Sequence, residues 1–253
     1  MKMEMLKVTQ LSKTYGNQVT FNALNQLSFA IEAGEFVGVM GPSGSGKTTL
    51  LNMISTVDQP TTGEIRINGV NPSGLLGDKL AQFRRRELGF VFQDFNLLDT
   101  LTLGENVILP LALDGIPVKE QDRRLQKAAR TLGIGPLLDK RTYEVSGGEA
   151  QRTAIARALI HNPTLLLADE PTGNLDSSAS RNVMELFEKI NKEERVTTMM
   201  VTHDPLAASY CNRILFIKDG SIYNEIHKGG SRQQFYQQII DVLSLLGGAS
   251  SGL

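Results

Sequence analysis

Nine consecutive residues concentrate the chemistry of this 253-residue chain: Gly41, Pro42, Ser43, Gly44, Ser45, Gly46, Lys47, Thr48 and Thr49. They fit G-x-x-x-x-G-K-[ST], a spacing suited to phosphate. Glycine lets the backbone close round anionic oxygens, so that successive N–H groups form a nest. A helix starting near Lys47 adds the positive end of its dipole. The Lys47 ammonium is a point charge for β- and γ-phosphates, and the Thr48 hydroxyl can ligate Mg2+. The apolar run Glu35 to Met40 supplies the preceding strand, a context that a chance glycine loop would lack.

Three further apolar runs end in polar residues fit for nucleotide hydrolysis. Leu88 to Phe92 leads to Gln93, Leu165 to Ala168 leads to Asp169 and Glu170, and Met199 to Thr202 leads to His203. Asp169 suits Mg2+, directly or through water, and Gln93 can complete the metal shell. Glu170 can polarise an attacking water, and His203 can contact a γ-phosphate. Singly, each has a plainer explanation: Asp169 and Glu170 as surface charges, His203–Asp204 as a helix cap. Open parallel sheets bind ligands beyond the carboxyl ends of their strands, so four arrivals at one edge argue against coincidence.

A second helix start stands apart from these. Val145 to Arg152 read VSGGEAQR, and Ser146 with Glu149 has the spacing of a capping box. Gly147 and Gly148 at that terminus leave room for a phosphate to approach exposed N–H groups.

The elements that must position these groups follow from periodicity. Short apolar runs alternate with helix-like segments, the pattern of a parallel sheet covered by helices. Thr164 to Ala168 and Thr197 to Thr202 read as strands, and Arg213 to Lys218 with Ile222 to Ile226 as a closing hairpin. Between Asp94 and Asn162 strand runs vanish, and Lys119 to Leu132 and Gly148 to His161 read as helices. Phe235, Ile239, Val242, Leu243 and Leu246 recur at helical spacing before a GGASSGL tail.

Bulk composition narrows the class. Lys plus Arg number 26 against 27 Asp plus Glu, which gives no general pull towards nucleic acid or anionic lipid. A lone cysteine, Cys211, excludes an intrachain disulfide and fits a reducing compartment. No apolar stretch approaches the roughly 18 to 20 residues that span a bilayer, and the charged N-terminus lacks a secretory signal. The expectation is a cytoplasmic protein, peripheral to the inner face of a membrane through a partner.

From about Leu6 to Tyr223 the chain resembles ABC transporter ATPases. GPSGSGKTT resembles the Walker A motif, LLLADE the Walker B, Gln93 the Q-loop, SGGE the signature, Asn174–Leu175–Asp176 the D-loop and His203 the H-loop. Tyr15, ahead of Gly16, resembles the aromatic that stacks on adenine, although a Tyr–Gly pair is also an ordinary turn. Glu149 departs from the commoner glutamine of the signature; either side chain can close the capping box.

The resemblance implies an α/β P-loop core, residues 1–93 and 163–226, with a small N-terminal antiparallel β region. It also implies an inserted helical subdomain, 94–162, and a C-terminal helical extension, 227–253. Two ATP molecules, with Mg2+, would lie between two copies of the chain arranged head to tail. Each cradle would face Ser146, Gly147, Gly148 and Glu149 of the other copy, and ATP turnover would drive a transmembrane permease. DFNLLDTLTLGENVILPL resembles the lipoprotein-release and macrolide-export branch. VTHDPLAASYCNRILFIKDGSIYNEIHKGG resembles the bacitracin-type ATPases, which serve antimicrobial-peptide resistance or sensing. Their permease carries a large outer domain and is often coupled to a sensor histidine kinase. A non-transporting ABC pair that transmits force to the cell envelope is the alternative. The absence of a long heptad run disfavours a chromosome-organising head. Phe95, Leu97, Leu98 and Leu101 read either as core or as a groove for the permease.

Overall fold

The computed structural model describes residues 3–16 and 19–248. Two long antiparallel strands open the chain, β1 (Glu4–Tyr15) and β2 (Phe21–Glu32), followed by β3 (Phe36–Met40) and the helix α1 (Lys47–Ile54). Next come β4 (Thr62–Ile67), α2 (Asp78–Glu87) and β5 (Leu88–Val91). A helical stretch follows, α3 (Leu103–Leu113), α4 (Val118–Leu132) and α5 (Gly147–Leu159). The chain then returns through β6 (Leu165–Asp169), α6 (Ser177–Glu194), β7 (Thr198–Val201) and the short α7 (Pro205–Ala208). It ends with β8 (Arg213–Lys218), β9 (Ser221–His227) and α8 (Arg232–Gly248).

Six strands form the central sheet in the order β5-β6-β7-β3-β8-β9, parallel except for the β8–β9 hairpin. β3 and β7 are buried along their whole length, as a sheet covered on both faces requires. Strand alternation divides the core. Val37, Val39, Leu165, Leu167, Met199, Val201, Leu215 and Ile217 face α1 and the three-stranded sheet β2-β1-β4. Phe36, Met40, Leu166, Ala168, Met200, Ile214 and Phe216 face the helical layer, which contains Val183, Phe187, Phe235 and Ile239. The Phe36 and Phe187 rings stack across that boundary at 6.0 Å. One apolar surface of the sheet thus receives the phosphate-loop helix and the other receives α5, α6 and α8.

The helical stretch lies between β5 and β6, which are sheet neighbours, so it projects from the sheet without dividing it. The α8 helix seats Phe235, Ile239, Val242 and Leu246 on the core, as its spacing predicts; residues 249–253 of the tail lie outside the described residues. Both strands of the N-terminal ribbon carry a left-handed residue, Gln10 (φ 46°) and Gln26 (φ 49°). The amide of each donates to a hydroxyl on the opposite strand, Gln10 N–H to Ser28 Oγ at 2.8 Å and Gln26 N–H to Ser12 Oγ at 3.0 Å. These bulges break the alternation of the two strands and re-aim the end that carries Tyr15.

Candidate functional site

The order β5-β6-β7-β3 sets four carboxyl ends side by side. Gln93, Asp169–Glu170, His203 and the 41–49 loop therefore emerge along one edge of the sheet.

The loop is shaped by backbone that only glycine adopts without strain. Gly46, which caps α1, has φ 103°, and a Cβ there would stand 2.4 Å from the Ala23 carbonyl. The Lys47 ammonium folds back to donate to Gly41 O and Pro42 O, both at 2.9 Å, clamping the loop from within. Burial holds this ammonium below its usual range, against the pull of the Glu170 and Asp169 charges. Ser45 Oγ is buried in the loop and, among the described residues, has no hydrogen-bond partner. A buried hydroxyl beside a nest of amides is a donor left for a ligand.

Across the edge, burial pushes the Asp169 carboxyl up, with the adjacent Glu170 charge adding to the effect and Lys47 opposing it. Glu170 stands in the left-handed region at φ 44°, a conformation that costs of order 1–3 kcal/mol and clusters at functional sites. Its N–H is tied to Val201 O at 2.9 Å. Glu170 Oε1 accepts from His203 Nδ1–H at 2.8 Å, and Oε2 accepts from the His203 amide at 3.2 Å. With Nδ1–H given to a carboxylate, the imidazole is fixed in one tautomer and its Nε2 edge points away from Glu170. The plainer cap reading holds for Asp204 alone, whose Oδ1 accepts from Leu206 N–H.

Gln93 is held by the 174 loop: its Nε2 donates to Asn174 Oδ1 at 3.2 Å, and Asn174 Nδ2 returns to Gln93 O and Asp94 Oδ1. Among the described residues, no hydrogen bond joins Gln93 to Asp169. Tyr15 lies beside the same helix as the loop, with the Thr49 side chain at its hydroxyl.

Ser146 and Glu149 form the capping box. Glu149 N–H donates to Ser146 Oγ at 3.3 Å, and Glu149 Oε2 accepts from Ser146 N–H at 2.8 Å. Those bonds hold the Glu149 carboxylate below its ordinary range. The glycines between them serve packing as well as access. A Cβ at Gly148 would lie 3.1 Å from Ala179 Cβ, and one at Gly147 would lie 3.2 Å from Leu175. Among the described residues, no hydrogen bond or ion pair links 146–149 to 41–49. The structure brings the four strand-end groups together and leaves the capping box apart.

Two residues that sequence reasoning passed over, one buried and one half-buried, hold the edge together. Gln151, fully buried on α5, donates to Phe92 O at 3.3 Å and to Pro171 O, thereby bracing the chain beside Gln93 and beside Glu170. Arg157 donates to Phe95 O at 2.8 Å and to Asn96 O, fixing two consecutive left-handed residues (φ 61° and 49°). An arginine inside the apolar run AIARALI was the available signal, because a charge there needs buried acceptors. Next to this loop runs an apolar groove of about 440 Å³ bordered by Leu88, Phe90, Phe92, Leu109, Pro110 and Leu113. None of Phe95, Leu97, Leu98 and Leu101 lines it; Leu97 packs on the core, and Leu98 is exposed.

Residues 24–173, more than half of the chain, match the ABC transporter family model. The chain belongs to the ABC transporter family. This ABC ATPase is 61% identical over 249 residues to the ABC transporter ATP-binding protein YxdL of Bacillus subtilis, covering 98% of the chain and 97% of that protein. It is 47% identical over 251 residues to the bacitracin export ATP-binding protein BceA of Halalkalibacterium halodurans, covering 98% and 99%. Its fold matches the dimeric MJ0796 cassette of Methanocaldococcus jannaschii, solved in a post-hydrolysis state with ADP and Pi. That match has a TM-score of 0.80 at 40% identity and covers 90% of this chain and 100% of the other.

Proposed function

We propose that this ABC ATPase acts as a homodimer that hydrolyses ATP to drive a transmembrane permease in antimicrobial-peptide resistance or sensing. One observation carries the reading: the loop, Asp169, Glu170 and His203 share one sheet edge, whereas among the described residues no hydrogen bond or ion pair joins the Ser146 box to the loop. A site divided in this way is completed by a second copy, whose Ser146, Gly147, Gly148 and Glu149 would close on the γ-phosphate. The dimeric MJ0796 cassette supports that assembly, and the bacitracin export relative supports the peptide-resistance branch.

Within the site, Gly41 to Thr49 bind the triphosphate through amides and the Lys47 ammonium. Tyr15 stacks on the base. Glu170 orients and deprotonates the attacking water, while the His203 bond holds its carboxylate in place. The donors available to a metal are the Thr48 hydroxyl, the Gln93 amide and the Asp169 carboxylate, all hard oxygens that fit Mg2+. Among the described residues, no cluster of three His, Cys, Asp or Glu forms, so substrate phosphates and waters would supply the remaining ligands. When bound, Mg2+ neutralises charge on the β- and γ-phosphates.

Among the described residues, no helix is long and apolar enough to cross a membrane, so in this reading the membrane-spanning part is not contributed by them. The apolar groove beside Arg157 is its docking place, since it adjoins the loop that carries Gln93 and transmits the state of the site. The test is recovery of the tagged protein from gently solubilised native membranes, with mass spectrometry of what accompanies it. A large permease with an extracytoplasmic domain, with or without a sensor histidine kinase, is the expected partner. A small four-span partner would move the assignment to the macrolide or lipoprotein branch, or to the force-transmitting pair. Recovery of no membrane protein under conditions that preserve control complexes would sink the transporter reading.

A further inference from the structure

The ring of Tyr15 is held from two sides by residues outside the nine-residue loop. Its hydroxyl donates to Asp58 Oδ2 at 2.8 Å. The other carboxylate oxygen of Asp58 accepts from Lys13 Nζ at 2.7 Å and from the Gln59 amide at 2.7 Å. Lys13 also donates to Gln59 O at 2.7 Å, and its ammonium stands 4.8 Å from the centre of the Tyr15 ring. Lys13 and Tyr15 are two apart on β1 and so share a face of the strand. The Lys13 side chain is only 12% exposed.

We propose that Lys13 and Asp58 are positioning residues that fix Tyr15 as a one-faced stacking platform for the nucleotide base. The proposal rests on the reading of Tyr15 as the base-stacking residue. One face of the ring is covered by the Lys13 ammonium, so a base has the opposite face. The phenol is pinned by Asp58, which the turn after α1 presents. That turn is closed by Val57 N–H and Asp58 N–H donating to Asn52 O. The helix that begins in the phosphate loop therefore ends beside the residue that orients the base platform. The Tyr15 hydroxyl thus meets Thr49 at the start of this short helix and Asp58 just beyond its end, so one element joins the phosphate loop to the base platform. Ordering the ring in advance removes its share of the entropy cost of binding.

The experiment compares MgADP with magnesium pyrophosphate, a probe without a base, by titration calorimetry on the full chain. Tyr15→Ala is expected to weaken MgADP about tenfold or more, the range for loss of one base stack. Asp58→Ala is expected to weaken it about two- to tenfold, the range for freeing one ordered side chain, with pyrophosphate affinity changed less than twofold. The double variant should bind MgADP no more weakly than Tyr15→Ala, because both changes remove one platform. Asp58→Asn, which keeps an acceptor for the phenol, should recover most of the loss and melt close to the unsubstituted protein. It also carries the test should Asp58→Ala fail to fold: Asn with Lys13→Met should then show the two- to tenfold loss. Normal MgADP affinity in Asp58→Ala, or in Asn with Lys13→Met, alongside a defect in Tyr15→Ala overturns the positioning role. Equal losses for MgADP and pyrophosphate also overturn it, since the pair would then act on the phosphate loop. Normal MgADP affinity in Tyr15→Ala overturns the stacking reading itself, a result separate from the other two.

Discussion

Replacing Glu170 with glutamine isolates the chemical step. The substituted side chain has nearly the same volume, and its amide oxygen can still accept from His203 Nδ1–H, a bond of 2.8 Å in the parent site, while the weaker 3.2 Å bond from the His203 amide to the second carboxylate oxygen is lost. The left-handed backbone at φ 44° is unchanged. What disappears is the capacity to take a proton from water, together with the charge that raises the Asp169 carboxyl. Loss of a general base lowers turnover by about 10²- to 10⁴-fold, which corresponds to roughly 3 to 5.5 kcal/mol of barrier at 1.36 kcal/mol per tenfold. Nucleotide binding should persist, because the triphosphate is held by Gly41 to Thr49, and the melting temperature should change little. The assay is phosphate release at saturating MgATP, paired with size-exclusion chromatography and light scattering. Glu170→Gln is expected to give turnover reduced by at least 10²-fold and an ATP-dependent dimer that persists. Turnover within tenfold of the parent would place the base elsewhere. Loss of ATP binding in parallel would refute the separation of cradle and base drawn from the geometry.

Gly46→Ala should cost at least about 2 kcal/mol in urea unfolding, since its Cβ would stand 2.4 Å from the Ala23 carbonyl in a φ 103° conformation. An unchanged midpoint would show that the loop relaxes freely. On α4, hydrogen bonds from Arg123 and Arg124 pull the Glu120 carboxyl from its ordinary 4.5 down to about 2. A depressed folded-state pKa gives stability that is present above the unfolded value and lost as pH falls, so the melting difference between the parent and Glu120→Gln should shrink from pH 4.5 towards about 2. A difference that grows on acidification would contradict the assignment. Cys211 is fully buried and burial pushes its thiol up, so modification by a disulfide reagent should proceed only as fast as the protein opens. Rapid labelling of the folded chain would contradict that burial.

Local order reads directly from this sequence. The loop 41–49, the capping box at Ser146 and Glu149, the strands before Gln93, Asp169 and His203, and the stripe of α8 are all specified by residues within a few positions of one another. Turn chemistry, caps and periodicity act over that range. Even here, contacts from elsewhere intervened: the paired bulges at Gln10 and Gln26 hid the twelve-residue strands β1 and β2 by breaking their alternation. The charged segment DKLAQFRRRE of α2 gave no clear apolar stripe, and only Phe83 of it is buried.

The site depended on longer reach. Glu170 and His203 are 33 residues apart, Tyr15 and Asp58 are 43 apart, and Gln93 and Asn174 are 81 apart. No local pattern announces such partners, because they meet only when β5, β6, β7 and β3 align their carboxyl ends and the turn after α1 meets the end of β1. The sequence by itself determined which groups could bind phosphate and polarise water. The tertiary structure alone decided which carboxylate meets the histidine, which acceptors hold Arg157, and which face of Tyr15 is left for a base. Side-chain pairing across a fold is set by the packing of whole elements, which residue type and spacing do not encode.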